Sequence, residues 1–295
     1  MRLDPALDAI VPPEATIEMV HRGEGGVTEG PVWTRDGALL FSDMAANVIT
    51  RLTPDGQARI FRNEAGHPGD VSRNANWGSN GLTFDKQGRL VICERGNRRV
   101  TRLEPDGRLT ILADRYDGKR LTRPNDVVVK SDGSIYFTDM CLDCTPELGF
   151  QGVFRIVNNR IDVVAKMPAP NGLAFSPDER YLYVASSDRT REIWMRFGVK
   201  SDGSVDAGTV FFDATNHRGE GVPDGMKVDS AGNLYATGPG GVWIISPDAR
   251  ALGRIELPAS AQNVAWGDDG RTLYITAHSV YRVKLRAIGK RPCCD

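Results

Sequence analysis

Six oxygen-bearing residues, Glu29, Asn80, Asn125, Asn171, Asp224 and Asn263, stand in the same local setting. Each introduces a run of small and apolar residues, then a turn carrying Asp, Gly or both, then an apolar strand. The openings read Glu29-Gly30, Asn80-Gly81, Asn125-Asp126, Asn171-Gly172, Asp224-Gly225 and Asn263-Val264. Brought to one point, two carboxylates and four asparagines offer two negative charges and several neutral carbonyl oxygens. That donor set suits a divalent cation with hard oxygen ligands, calcium above all, and is poor for soft metals. Taken singly, each residue has an ordinary explanation, because Asn and Asp side chains bond to nearby backbone and so open strands and turns everywhere. Recurrence in phase favours the metal reading.

The elements that must position these residues follow from the same recurrence. The units repeat every 40–50 residues or so and are built of short strands, the signature of a β-propeller, in which equivalent positions of all blades converge on one axis. The expected fold is all-β, six blades of about four antiparallel strands. In the second unit, Gly81–Phe84, Leu90–Cys93, Val100–Leu103 and Leu109–Leu112 read as strands between Gly- and Asp-marked turns. The sixth unit offers only three strands, and Thr16–Val20 stands alone before the first. Its pairing with the last blade would join the chain ends and cover a sheet edge. One domain over residues 1–295 is expected, with repeats over roughly 27–285 and a tail over 286–295. Cys141–Gln151 and Asp213–Val222 are longer connections, placed where they can cover the axis.

Bulk properties narrow the function. A net charge of −1 on 295 residues gives no footprint for nucleic acid or an anionic membrane. No apolar run approaches a membrane span, and Met1–Pro5 lacks signal-peptide organisation, so a cytoplasmic location is expected, or a periplasmic one for a chain trimmed of its signal. A monomer or weak homo-oligomer is expected. Five cysteines are an odd number, which speaks against a secreted disulfide framework. Cys141-x-x-Cys144 has zinc-knuckle spacing, but Cys293-Cys294 does not, and Cys93 reads as a core residue. None of the four histidines lies in a His-Glu-x-x-His pattern; Gly-x-Ser-x-Gly is absent, and no Gly-x-Gly-x-x-Gly turn leads from a strand into a helix. Hydrolysis or isomerisation assisted by an oxygen-bound metal remains.

Several segments resemble the family of gluconolactonase, regucalcin (senescence marker protein) and luciferin-regenerating enzyme. They are Thr28-Glu29-Gly30-Pro31-Val32-Trp33, Arg123-Pro124-Asn125-Asp126, Pro170-Asn171-Gly172-Leu173-Ala174 and Pro223-Asp224-Gly225-Met226. Asn80–Phe84, Glu147–Val153 and Ala236–Trp243 look most like its bacterial gluconolactonase branch, and the resemblance spans roughly Val27 to Leu285. It implies a six-bladed propeller with one axial divalent metal, usually calcium, with zinc, magnesium or manganese as substitutes. Carried over by motif, the ligands would be Glu29, Asn171 and Asp224, with Asn125 contacting metal or substrate. Arg123 would bind sugar hydroxyls, and Asn80 a water or a substrate hydroxyl. The stretch Met140–Cys144 departs from the family pattern, so the lid over the site should have its own shape.

The resemblance implies hydrolysis of a small-molecule sugar lactone of the gluconolactone type, the metal polarising the carbonyl. Asp224 would be the general base or the nucleophile, since one carboxylate oxygen can bind metal while the other faces the reacting atom. His217, in the loop before Asp224, is either a proton carrier or a bystander. Two other readings stand beside this one. Propellers resembling diisopropyl fluorophosphatase use a similar set on phosphorus esters, and other propellers are non-catalytic interaction scaffolds.

Overall fold

The structure is a computed structural model and describes residues 1–23, 26–69 and 77–292. Six four-stranded antiparallel sheets form the blades of a propeller. Their first strands are Thr28–Trp33, Ser79–Phe84, Pro124–Val129, Pro170–Phe175, Met226–Val228 and Asn263–Gly267. Each packs against the first strands of two neighbouring blades, so the six close a ring. Among the described residues the only regular helix is a 3-10 turn, Pro5–Ala9, capped by Asp4, and no helix is long and apolar enough to cross a membrane.

Blade six is completed from the other end of the chain, as the short sixth unit predicted. Ile17–His21 pairs antiparallel with Val280–Lys284, Ile17 opposite Val283. Aromatic rings seal the joints between blades. Trp33 stacks on Tyr274 at 5.4 Å between blades one and six, Tyr136 meets Phe175 edge-on at 5.0 Å between three and four, and Tyr235 meets Trp266 at 4.8 Å between five and six. Such pairs each add about 0.5–1.5 kcal/mol beyond the area they bury.

Two local devices aim the recurring residues at the axis. In blades one to four the pairing of first and second strands shifts register at the same place, between Glu29 and Val32, Ser79 and Leu82, Pro124 and Val127, Pro170 and Leu173. A β-bulge re-aims side chains there. The second device is the glycine after the recurring residue. A Cβ on Gly30 would lie 2.1 Å from the Asn80 carbonyl oxygen, on Gly172 2.3 Å from that of Asp224, and on Gly225 1.9 Å from Cγ of Asn263. Each glycine is thus the place where one blade touches the recurring residue of the next.

The long connection Cys141–Gln151 reaches the axis region, and Cys141 is joined to Cys144 by a disulfide, Cα–Cα 5.7 Å. With their sulfurs bonded to each other, these residues are not thiolate metal ligands in this state. Cys93 is wholly buried in blade two. Cys293 and Cys294 lie outside the described residues. The preceding residues 286–292 pack on blades five and six, the Gly289 N–H donating to Gly270 O and the Ile288 carbonyl accepting from Ser230 N.

Candidate active site on the propeller axis

All six recurring residues are buried, and the structure brings them together. Asn80 Nδ2 donates to Asn125 Oδ1 at 2.9 Å, Asn125 Nδ2 donates to Asn171 Oδ1, and Asn171 Nδ2 donates to Ser187 Oγ at 2.8 Å. Ser187 Oγ donates on to the Pro223 carbonyl at 2.6 Å, one residue before Asp224. Across the axis, Asn263 Nδ2 donates to Glu29 Oε2 at 3.2 Å and to Asp126 Oδ2 at 3.4 Å. Asp224 is held through its backbone, its N–H on Thr237 O at 3.0 Å.

Asp126 is an axial residue that the sequence reading left out. It occupies the slot that is glycine in four other units, and there its 2 %-exposed carboxylate faces the ring. The break in the repeat at that one position was the available signal. Arg95 is the second such residue. It follows the second strand of blade two, and its Nη1 donates to Asn125 Oδ1 at 2.8 Å. No motif marked it.

The electrostatics are those of an anionic, dry site. Burial, then the charge of Glu29 and of Asp126, pushes the Asp224 carboxyl well above its usual range. Burial foremost, with Asp126 adding repulsion, raises Glu29 to about 7. Three buried carboxylates, Glu29, Asp126 and Asp224, face one guanidinium, Arg95. When all are ionised, two negative charges are in excess, the charge of one divalent cation. Two buried oxygens, Asp224 Oδ1 and Asn80 Oδ1, have no hydrogen-bond partner. Buried acceptors without partners cost on the order of 1–3 kcal/mol each, and a bound cation removes that cost. The residues therefore fit a hard divalent ion, which Glu29, Asn171, Asp224 and Asn125 could hold with Asn80 beside them.

Beside the ring lies a cavity of about 240 Å³, lined by Trp77, Arg95, Arg98, Thr122, Arg123 and Glu147 among others. Arg123 is placed by Asp139, whose carboxylate accepts from the backbone N–H of Thr122 at 2.8 Å and of Arg123 at 2.7 Å. Burial raises Asp139 to about 6 despite those bonds. The Arg123 guanidinium lies 5.8 Å from the Trp77 ring centroid and pairs with Asp143 of the disulfide loop at 2.5 Å. That loop also contributes Cys144 and Thr145 to the wall. His217 is elsewhere: it sits 4.7 Å edge-on from Trp243 and stacks on Phe212, packed on aromatic rings rather than in the ring of carboxylates. A larger cavity of about 480 Å³ opens where the first strands end, at the opposite mouth, and contains none of the recurring residues.

Residues 27–279 match the family model described as the SMP-30/Gluconolactonase/LRE-like region. The chain is 37% identical to a gluconolactonase of Zymomonas mobilis, over 98% of this chain and 86% of that protein. A solved gluconolactonase of Xanthomonas campestris superimposes with a TM-score of 0.84 at 30% identity, covering 96% of this chain and 93% of its own. The regucalcin of Agrobacterium tumefaciens, described as a calcium-binding protein, shares the fold with a TM-score of 0.77 at 17% identity, covering 95% of this chain and 97% of its own. With the family model matched over most of its length, this chain belongs to the SMP-30/gluconolactonase/LRE-like family.

Proposed function

We propose that this protein hydrolyses the ring ester of a sugar lactone, an aldonolactone of the gluconolactone type, with one divalent cation, calcium, on the propeller axis. Family membership and relatives named for lactone hydrolysis make the chain a hydrolase of cyclic esters. The observation that carries the metal is the buried charge excess of Glu29, Asp126 and Asp224 over Arg95, together with the unpartnered Asp224 Oδ1. A scaffold needs no such ring, and an isolated buried carboxylate is costly.

When bound, the cation supplies Lewis-acid polarisation of the ester carbonyl and stabilises the charge that develops there. The Asp224 carboxylate oxygen not taken by the cation accepts a proton from water as the water oxygen adds to the carbonyl carbon. The C–O bond of the ring then breaks, and Asp224 returns the proton to the departing oxygen, giving the hydroxy acid. Asn80 and Asn125 orient the ring through their amides, and Arg123, held by Asp139 and Trp77, reaches hydroxyls from the cavity side. Burial of the ring excludes bulk water and strengthens each of these interactions.

The deciding experiment is a lactone panel, run on protein stripped by chelator and then reloaded with calcium, zinc, magnesium or manganese. Aldonolactone opening that is lost on stripping and restored by metal is the expected result. Turnover of a phosphotriester in place of every lactone would overturn the carbonyl reading. Full lactonase activity in the stripped protein would overturn the metal.

A further inference from the structure

Arg95 is half-buried beside the axis, and among the described residues no carboxylate oxygen lies within 4.0 Å of its guanidinium. Its Nη1 donates to the neutral Asn125 Oδ1, and its Nε is buried with no hydrogen-bond partner. The carboxylates that attract it, Glu29 and Asp224, act without direct contact, so its unpartnered N–H can still take an acceptor, and leaving a buried donor unsatisfied is costly. Arg123 lines the same cavity and adds a second positive charge, whose repulsion Arg95 feels. The counter-charge of Arg123 comes from Asp143, whose side chain is 72% exposed and so is readily exchanged for another anion. The third arginine of the wall, Arg98, is already engaged by Glu147 at 2.8 Å and by the Leu121 carbonyl at 2.7 Å. The cavity thus carries two guanidiniums with no buried carboxylate in direct contact, next to the place where the ester must sit.

Resting on the lactonase reading above, we propose that the substrate is an anionic lactone, whose carboxylate or phosphate substituent, remote from the scissile ester, is clamped between Arg95 and Arg123. Guanidinium groups bind such oxyanions through paired N–H donors. A neutral sugar ring leaves Arg95 Nε without an acceptor of matching charge. The cavity, about 240 Å³, is smaller than drug-sized pockets and suits one sugar-sized ring with its substituent. Arg95 has a competing role as the internal neutraliser of Glu29 and Asp224, both of which it attracts. That role would act on metal affinity and would not distinguish one lactone from another.

The test compares pairs of lactones that differ by one anionic substituent at C6: glucono-1,4-lactone against glucaro-1,4-lactone, and gluconolactone against its 6-phosphate. Calcium-loaded wild type should favour the anionic member in kcat/KM by about tenfold or more at low salt, and the preference should shrink as salt screens it. Arg95→Gln should cut that ratio by about tenfold and Arg95→Lys should keep part of it, with calcium affinity measured in parallel by calorimetry. A wild-type ratio within about twofold of unity overturns the proposal without need of any variant. A ratio unchanged in Arg95→Gln, with weakened calcium binding, assigns Arg95 to the ring alone and also overturns it. A separate binding arm titrates glucose 6-phosphate and glucose into the loaded protein. If no lactone opens above the buffer rate, the lactonase reading fails, and this arm still decides whether the cavity selects the anion.

Discussion

At the scale of single residues, charge decides what the axis can do. A unit charge a few ångströms from a divalent ion is worth several kcal/mol at an effective dielectric near 20. Glu29→Gln and Asp126→Asn, each of which keeps shape and removes one charge, should therefore weaken calcium by at least about a hundredfold in a calorimetric titration. An unchanged dissociation constant in either variant removes that residue from the site. Asp224→Asn should separate ligation from chemistry. The amide keeps one coordinating oxygen but accepts no proton, so at saturating metal kcat should fall by about 10²-fold or more while the metal stays bound. Wild-type turnover in that variant would reduce Asp224 to a ligand. Asp139 gives a pH signature of its own. Its folded value, about 6, is raised above the ordinary 3.8, so its contribution to stability is fully present below pH 3.8 and is lost as pH rises through about 6. The loss amounts to roughly 3 kcal/mol at 1.36 kcal/mol per unit. The stability profile of Asp139→Asn should lack that fall, and a profile parallel to wild type would show that Asp139 does not titrate there.

At the scale of elements, the recurring residues are only as well aimed as the strand starts that carry them. The glycine that follows four of the six reserves space for the strand start of the next blade, and at Gly225 the neighbour is a side chain, so a Gly225→Ala Cβ would overlap Asn263. Overpacking of this kind costs about 1–3 kcal/mol. Because Asn263 bonds Glu29, the same change should lower metal affinity as well as melting temperature. A melting temperature and calcium affinity both equal to wild type would show that the blades yield there without consequence. This arrangement also explains what the sequence made legible. Strand starts, turn glycines and the ring of Asx and Glu residues were readable because the repeat prints them six times in phase. Asp126 was half-visible, as the one acidic residue in a slot otherwise glycine or valine. Arg95 was not legible, since it belongs to a turn that contributes no axial residue in the repeat pattern, and only the closing of the ring brings it to Asn125. The disulfide loop was visible as an insertion, yet its contact with Arg123 through Asp143 depends on how it folds back.

At the scale of the whole molecule, a ring of six blades has no end, but a chain has two, and the closure in blade six reconciles them. The chain start is used twice. Leu7 and Ile10 pack with blades five and six in one buried cluster, while Leu3 N and Asp4 N bond to the Leu252 carbonyl on the outer strand of blade five. Ile17–His21 then supplies the outer strand of blade six. Removing this segment exposes the unpaired edge of Val280–Lys284, a site for intermolecular pairing, and it also loosens the blade that holds Asn263 against Glu29. A variant lacking residues 1–21 should therefore lose far more stability than one lacking residues 1–3, unfold without a sharp transition, and associate as concentration rises. On the proposed axial site calcium would bind only the closed ring, so it should raise the melting temperature of wild type but not of the long truncation, because linkage stabilises only a state that can bind. A truncated protein that melts cooperatively and gains the same calcium shift would show that the five complete blades hold the axis without the closing strand.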